Sequence, residues 1–317
     1  MKLRHFISLK DVSGKDLGAI IKKAIDMKRR PETYAQALKQ KTLIMLFQKT
    51  STRTRLSFEA GMTQLGGHAI FLDARTTQVG ISDLRDEIRA MMKFGDMIVI
   101  RALHHRTIED AASVSAIPVI NGLCDKYHPC QATADLMTIA EKSGGLQKVR
   151  GKKIVYLGIA NNVSNSLVMA AVKLGAQVTV CAPEQHPQSV DKELEKIAER
   201  SGLYERTKDL RCVKDADVVY TDTWIDMEFF DMKGDVVESF REEYERRKKV
   251  LLPYQLNTAL LAKCKSKVMV MHDMPMHVGH EITRDVIESK NSVIFDQAES
   301  RLHAQKALML WLLHKSK

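Results

Sequence analysis

Hydroxyl and guanidinium groups crowd one stretch of this sequence, Phe47-Gln48-Lys49-Thr50-Ser51-Thr52-Arg53-Thr54-Arg55. The preceding Thr42-Leu43-Ile44-Met45-Leu46-Phe47 reads as a short buried strand. The following Leu56-Ser57-Phe58-Glu59-Ala60-Gly61-Met62 has the spacing of an amphipathic helix. The polar residues therefore fall where a strand hands over to a helix N-terminus. Free backbone N–H groups and the positive end of the helix dipole make such a junction an anion site. Ser51 or Thr52 can cap the helix, while Arg53 and Arg55 offer planar forks that match phosphate oxygens. A capped helix with two solvated arginines would carry the same residues, so the stretch points to a bound phosphate without saying which one.

Further candidates follow along the chain. Arg101 ends the strand-like Met97-Ile98-Val99-Ile100. After it come His128-Pro129-Cys130-Gln131, Asn161-Asn162, Asp222-Thr223-Trp224, His272-Asp273-Met274-Pro275 and Phe295-Asp296-Gln297-Ala298-Glu299-Ser300-Arg301. Singly, each has an ordinary reading: a histidine before proline is usually a turn residue, and an arginine on a terminal helix usually a surface charge. Together with Ser51–Arg55, and in this order, they resemble the aspartate/ornithine carbamoyltransferase family over nearly the whole chain. Cys130 and the C-terminal run favour its ornithine branch.

The resemblance implies carbamoyl transfer from carbamoyl phosphate to an amine, with no cofactor and no metal. It implies that Ser51, Thr52, Arg53 and Thr54 hold the phosphate, and that Arg101 reaches phosphate and carbonyl oxygen together. His128 and Gln131 would bond the carbamoyl group, with His128 polarising its carbonyl, while Met274 and Arg301 add contacts to the same substrate. Gln78, in Thr76-Thr77-Gln78-Val79-Gly80, matches a loop that enters the neighbouring subunit's site, which implies a homotrimer or an assembly of trimers. After Gly80 the pattern changes: Ile81-Ser82-Asp83 stands where Arg-Gly-Glu is expected.

On the acceptor side, Asn162 and Asp222 together match the positions that hold the end of an amino acid carrying its α-amino and α-carboxylate groups. Elsewhere this sequence departs from the ornithine pattern. Ile225-Asp226-Met227-Glu228 replaces Val/Ile-Ser-Met-Gly, and Asp273 replaces the cysteine of His-Cys-Leu-Pro. Carboxylates near an α-carboxylate repel it by about 1 kcal/mol per pair at roughly 4 Å in water. Asp226, Met227 and Asp273 therefore join the acceptor-binding candidates, and Asp273 could also take the attacking amine's proton. Two expectations stay open: ornithine as acceptor, or a more cationic amine such as putrescine or another diamine. A catalytically silent binding member is the rival outside enzymology, and the intact set Arg53, Arg101, His128, Gln131 and Arg301 speaks against it.

Positioning these residues takes alternating strands and helices. Strand-like runs lie near 42–47, 68–72, 97–100 and 117–120, with helical patterns near 52–65, 83–94, 107–114 and 130–143. A second set follows, with strands near 153–157, 177–181, 218–221 and 267–271, a helix over 162–174 and a last helix over 301–313. Leu17, Ile20, Ile21 and Ala24 mark one face of an opening helix that Ser13 can cap. This alternation predicts an α/β protein of two doubly wound parallel-sheet, Rossmann-like domains joined by helices. The expected domains are 1–145, completed by the C-terminal helix 296–317, and 150–290, binding carbamoyl phosphate and the amine respectively. Ser143-Gly144-Gly145 is the candidate hinge, and the absence of Gly-x-Gly-x-x-Gly argues against a dinucleotide.

A length of 317 residues suits two domains, with 44% apolar residues for their cores and 28% charged residues for a soluble surface. Five scattered cysteines read as reduced thiols, not as a disulfide framework or zinc site. No apolar run reaches the roughly 18 residues of a membrane span, and the start lacks a signal peptide's apolar stretch, so a cytoplasmic protein is expected. The net charge of +10 admits an anionic partner, but basic and acidic residues interleave without a nucleic-acid-binding pattern. A solvated basic surface, with no nucleic-acid or membrane partner, is the expectation.

Overall fold

In the computed structural model, which describes residues 3–225, 229 and 235–313, Thr42–Phe47 forms β1 and buries all but its first residue. A strand covered by helices on both faces must be apolar throughout. Four parallel strands make the first sheet, in the order β2-β1-β3-β4, with β2 His68–Asp73, β3 Met97–Arg101 and β4 Val119–Leu123. Its helices are α1 (Gly14–Arg29), α2 (Thr52–Gln64), α3 (Leu84–Met91), α4 (His105–Val114) and α5 (Pro129–Lys142). Ser13 caps α1 by accepting from Asp16 N. The winding reverses between β1 and β3, so the crevice beyond their carboxyl ends is the natural ligand position. Ser51–Thr54 and Arg101 stand there.

The second sheet is also all parallel, in the order β7-β6-β5-β8-β9. Its elements are β5 (Lys153–Ala160), α6 (Asn162–Lys173), β6 (Gln177–Gln185), α7 (Lys192–Arg200), β7 (Tyr204–Thr207) and β8 (Val218–Thr221). They continue with α8 (Arg241–Leu251), α9 (Thr258–Leu261), β9 (Met269–His272), α10 (Arg284–Ile287) and α11 (Ile294–Leu313). Here the reversal lies between β5 and β8, whose carboxyl ends carry Asn161, Asn162 and Asp222. The same topology thus supplies two crevices. At Gly158 on β5, φ is 117° and an added Cβ would lie 2.5 Å from Trp224 Nε1. Glycine there lets Trp224 pack down beside Asp222.

One continuous apolar core runs from the first sheet through α5 and α6 to β5 and β6, while a second cluster covers the other face of the second sheet. Every residue from Pro129 to Ala140 in α5 is buried, as expected of a helix packed on all sides. Between the halves, Lys173 Nζ donates to the carbonyls of Leu9, Lys10 and Val12 at 2.5 to 2.7 Å. Helix α11 packs on α1, α2 and α5 and also touches β9.

The strands lie where the sequence places them, within a few residues. Two differences are informative. Helix α11 starts at Ile294, seven residues before the apolar stripe begins, because its buried positions there are Gln297, Ser300 and Arg301. Helices α7 and α8 and the short edge strand β7 were not anticipated; they are highly charged, and only Leu194, Ala198, Tyr244 and Leu251 of the two helices are buried.

Candidate active site

Three arginines reach the first crevice from distant parts of the chain: Arg53 in the first turn of α2, Arg101 at the end of β3, and Arg301 on α11. Ser51 is the N-cap of α2, accepting from Thr54 N at 3.3 Å. Thr54 is fully buried, and its Oγ1 accepts from Arg301 Nη2 at 2.7 Å, while Thr52 is exposed. The Nε of all three arginines is buried without a hydrogen-bond partner. Burial, followed by the charges of Arg301 and Arg53, pushes Arg101 down to about 10, against the opposing pull of Asp273. Three guanidinium groups sharing one crevice describe a site for a multiply charged anion. Arg55 does not join them: it pairs with Glu59 at 3.0 Å and lies 3.8 Å over the Phe71 ring.

His128, the N-cap of α5, is 2% exposed and donates its backbone N–H to Ser166 Oγ on α6. Burial, reinforced by Arg301, Arg101 and Arg53, holds its imidazole well below the usual range, so it is neutral. A neutral ring can donate a hydrogen bond to a carbonyl oxygen without adding a fourth positive charge. One turn on, Gln131 Nε2 donates to Asp135 Oδ1 at 2.8 Å, leaving Oε1 buried and unpartnered.

Carboxylates dominate the second crevice. Asp222 Oδ2 accepts from Asn161 Nδ2 at 2.6 Å, and its Oδ1 from Thr223 N at 2.7 Å. Asn161, not Asn162, is thus the neighbour of Asp222; Asn162 donates to Cys124 O in the other half at 2.7 Å. Asp273 is buried with Oδ1 unpartnered. Burial first, then Asp222 and Asp135, raise it well above the carboxylate range, with Arg301 opposing. Asp222 and Asp273 both act electrostatically on Arg53, so the two crevices open onto each other.

Asp222, His272 and Asp273 offer donor atoms within 4.8 Å of one another, close enough for a cation. Both His272 nitrogens are committed, however. Nδ1 accepts from Met274 N at 2.9 Å, which leaves the proton on Nε2, 3.0 Å from Glu281 Oε1. The trio does not fit a resident metal. Met274 adopts φ 65° before a cis peptide to Pro275, a conformation unusual outside glycine and concentrated at functional sites. Gln78 is exposed on a single 3-10 turn, Gln78–Gly80. Asp226 and Met227, with Glu228, lie outside the described residues.

The sequence reading singled out neither Tyr156 nor Asp135, while Asn161 and Gln297 entered it only as parts of motifs, without a role. Asp135 had a local signal, since Gln131 and Asp135 stand i, i+4 on one helix. Tyr156, whose hydroxyl donates to Asn161 Oδ1 at 3.0 Å, had none.

Residues 4–141 match the family model described as the carbamoyl-P binding domain of aspartate/ornithine carbamoyltransferase, and residues 150–312 match its Asp/Orn binding domain. An ornithine carbamoyltransferase of Thermococcus kodakarensis is 43% identical over 313 residues, covering 96% of this chain and 95% of its own. One from Methanospirillum hungatei is 42% identical, covering 98% and 99%. Among solved structures, the ornithine carbamoyltransferase of Pyrococcus furiosus superposes with a TM-score of 0.87 at 42% identity, covering 96% of each chain. Two full-length domain matches, and relatives of this identity around an arginine-lined anion crevice, make the chain a carbamoyltransferase of the aspartate/ornithine carbamoyltransferase family.

Proposed function

We propose that the protein transfers the carbamoyl group of carbamoyl phosphate to the side-chain amine of ornithine, giving citrulline and phosphate. One observation carries this reading: an arginine crevice and a carboxylate crevice, each at a sheet's topological switch point, open onto each other. In it, Ser51, Thr52, Arg53 and Thr54 bind the phosphate, and Arg101, Met274 and Arg301 complete that substrate's contacts. The neutral amine attacks the carbamoyl carbon while Arg101 and His128 stabilise charge growing on the carbonyl oxygen. The C–O bond to phosphate then breaks and its electron pair leaves with phosphate. Asp273 takes the proton released by the amine. Asp222 receives the α-amino group, and Asn162 turns from Cys124 O to the α-carboxylate, with Asp226 and Met227 beside them. Alignment of two bound reactants supplies much of the acceleration.

A diamine acceptor is the second reading, favoured by the paired Asp222 and Asp273 and by the present commitment of Asn162. The test is mass spectrometry of products from carbamoyl phosphate with ornithine, putrescine, lysine, diaminopropionate, acetylornithine and aspartate. Citrulline as dominant product supports ornithine; another ureido product overturns it.

The assembly is read as a homotrimer in which Gln78 enters a neighbour's site. Leu56 and Ile81, 60% and 88% exposed, support it. So does a groove of about 500 Å³ beside Ser51 and Thr52, lined by Lys49, Arg55, Phe71 and Arg75. Light scattering coupled to size exclusion should give three times 35.8 kDa. No described helix is long and apolar enough to cross a membrane, and a cytoplasmic location is the accompanying inference.

A further inference from the structure

Beneath the carbamoyl site lies a relay of three side chains whose direction is set by a backbone group. The N–H of His272, at the end of β9, can only donate. It meets Gln297 of α11 at 2.9 Å, so the Gln297 atom there is Oε1. The opposite end of that amide must then be NH2, and it donates to Asp135 Oδ1 at 2.7 Å. Asp135 Oδ1 accepts there and, in the ionised carboxylate, has no proton to give, so the Gln131 atom 2.8 Å from it is Nε2. Asp135, Gln131 and Gln297 are each 0 to 1% exposed, so solvent offers no substitute partner. By elimination the Gln131 carbonyl oxygen is the end left over, buried and without a protein partner.

We propose that Asp135 is a positioning residue that fixes the Gln131 amide with its oxygen toward the substrate. The site then accepts the NH2 of a carbamoyl group and discriminates against an acyl phosphate carrying a methyl group in its place. The inference rests on Gln131 contacting the carbamoyl group, as in the function proposed above. Its physical core is that a carbamoyl NH2 has only protons to offer outward. A Gln131 turned the other way would present NH2 to NH2, leaving both sets of donors buried and unpaired. Asp135 prevents that turn while it is ionised, because a carboxylate has no proton to donate to Gln131. Burial raises its pKa to about 7, against the opposing hydrogen bonds from Gln131 and Gln297, so the orientation is fixed above that pH. The relay also joins the loop carrying Asp273 to the helix carrying Gln131, through His272 and Gln297.

The test measures inhibition by phosphonoacetamide, which keeps the carbamoyl NH2, and by acetyl phosphate, which replaces it with methyl. The ratio of the two inhibition constants reads the hydrogen bond alone, because general loosening of the pocket weakens both. Asp135→Leu should lower the preference for phosphonoacetamide by about tenfold, the worth of one neutral hydrogen bond. Asp135→Asn, which keeps an acceptor oxygen held by Gln297, should restore it. Should Asp135→Leu fail to fold, Asp135→Asn combined with Gln297→Leu carries the test. That pair frees the new amide to turn and should lose the preference, while Gln297→Leu alone should keep it. Unchanged ratios in variants that still make a ureido product would overturn the orienting role and leave carbamoyl transfer standing. A wild-type enzyme that makes no ureido product would overturn both.

Discussion

At the β1/β3 crevice the chain gathers Arg53, Arg101 and Arg301, whose Nε groups find no protein partner. At the β5/β8 crevice it places Asp222, whose two oxygens are already taken by Asn161 and Thr223. The topology is the same and the electrostatic plan opposite. Three guanidinium groups with buried, unpartnered Nε atoms are costly until an anion arrives, so the phosphate half is tuned for its ligand at the expense of the empty state. The carboxylate half is held in place by its own hydrogen bonds and needs no ligand to define it. Asp273 stands between the plans: it is buried among like charges on one side and faces the arginines on the other.

Removing one cation should therefore have the largest effect. Arg101→Ala is expected to lower kcat/KM about 10³-fold, as for a lost oxyanion donor, with KM for carbamoyl phosphate rising; a loss under tenfold in steady-state kinetics would take Arg101 out of the site. On the other side, Asp222→Ala should raise KM for the acceptor about 10²-fold and leave phosphonoacetamide binding, by calorimetry, within a factor of about three, since it loses one charged hydrogen bond. If both ligands weaken together, the two halves are not separable and the contrast fails.

Asp273 sharpens the contrast through pH. Its folded pKa is raised by burial and by Asp222 above the ordinary 3.8. The folded protein therefore keeps this proton where the unfolded chain has lost it. The stability so contributed is fully present below the unfolded pKa and is lost as pH rises through the folded one. Asp273→Asn cannot titrate, so its unfolding free energy in urea should fall less from pH 4 upward than that of the wild type. Equal slopes would mean that Asp273 ionises normally. In the rate, Asp273 acts as a base only when ionised. The limb of kcat/KM that rises with pH, on the acid side of the optimum, should accordingly lose one ionisation in the variant.

How much of this the sequence carried depends on how local each feature is. Ser51–Arg55 was readable because strand, cap and charge are contiguous, and the two sheets because period-two and helical patterns alternate cleanly. The start of α11 was hidden because its buried face carries Gln297, Ser300 and Arg301, which meet their partners Asp135, Thr138 and Thr54 only in the folded protein. That Asn161, beside the acceptor candidate Asn162, bonds Asp222 was hidden for a related reason. Adjacent asparagines are equivalent on paper, and only the capping geometry at α6 decides which amide turns inward. Asp135 shows the same limit, because its role depends on Gln297, 162 residues away.

The smallest expected effect is also the sharpest local comparison. Arg53 and Arg55 are the same residue type two positions apart at one helix N-terminus, and sequence offered both as phosphate forks. Two residues along a helix is about 200° of rotation, so one must face away when the other faces in. Arg53 is the inward one, sensing Asp273 and Asp222; Arg55 spends its charge on Glu59 and Phe71. Arg55→Ala should change the affinity for phosphonoacetamide by less than about threefold and stability by about 0.5 kcal/mol, the worth of an exposed i, i+4 pair. Arg53→Ala in the same calorimetric assay should abolish detectable binding. Equal losses would mean that the groove along Arg55, Lys49 and Arg75 also holds phosphate. The arginine half would then extend across the exposed face of α2, and the arginines' inward burial would no longer define its limit.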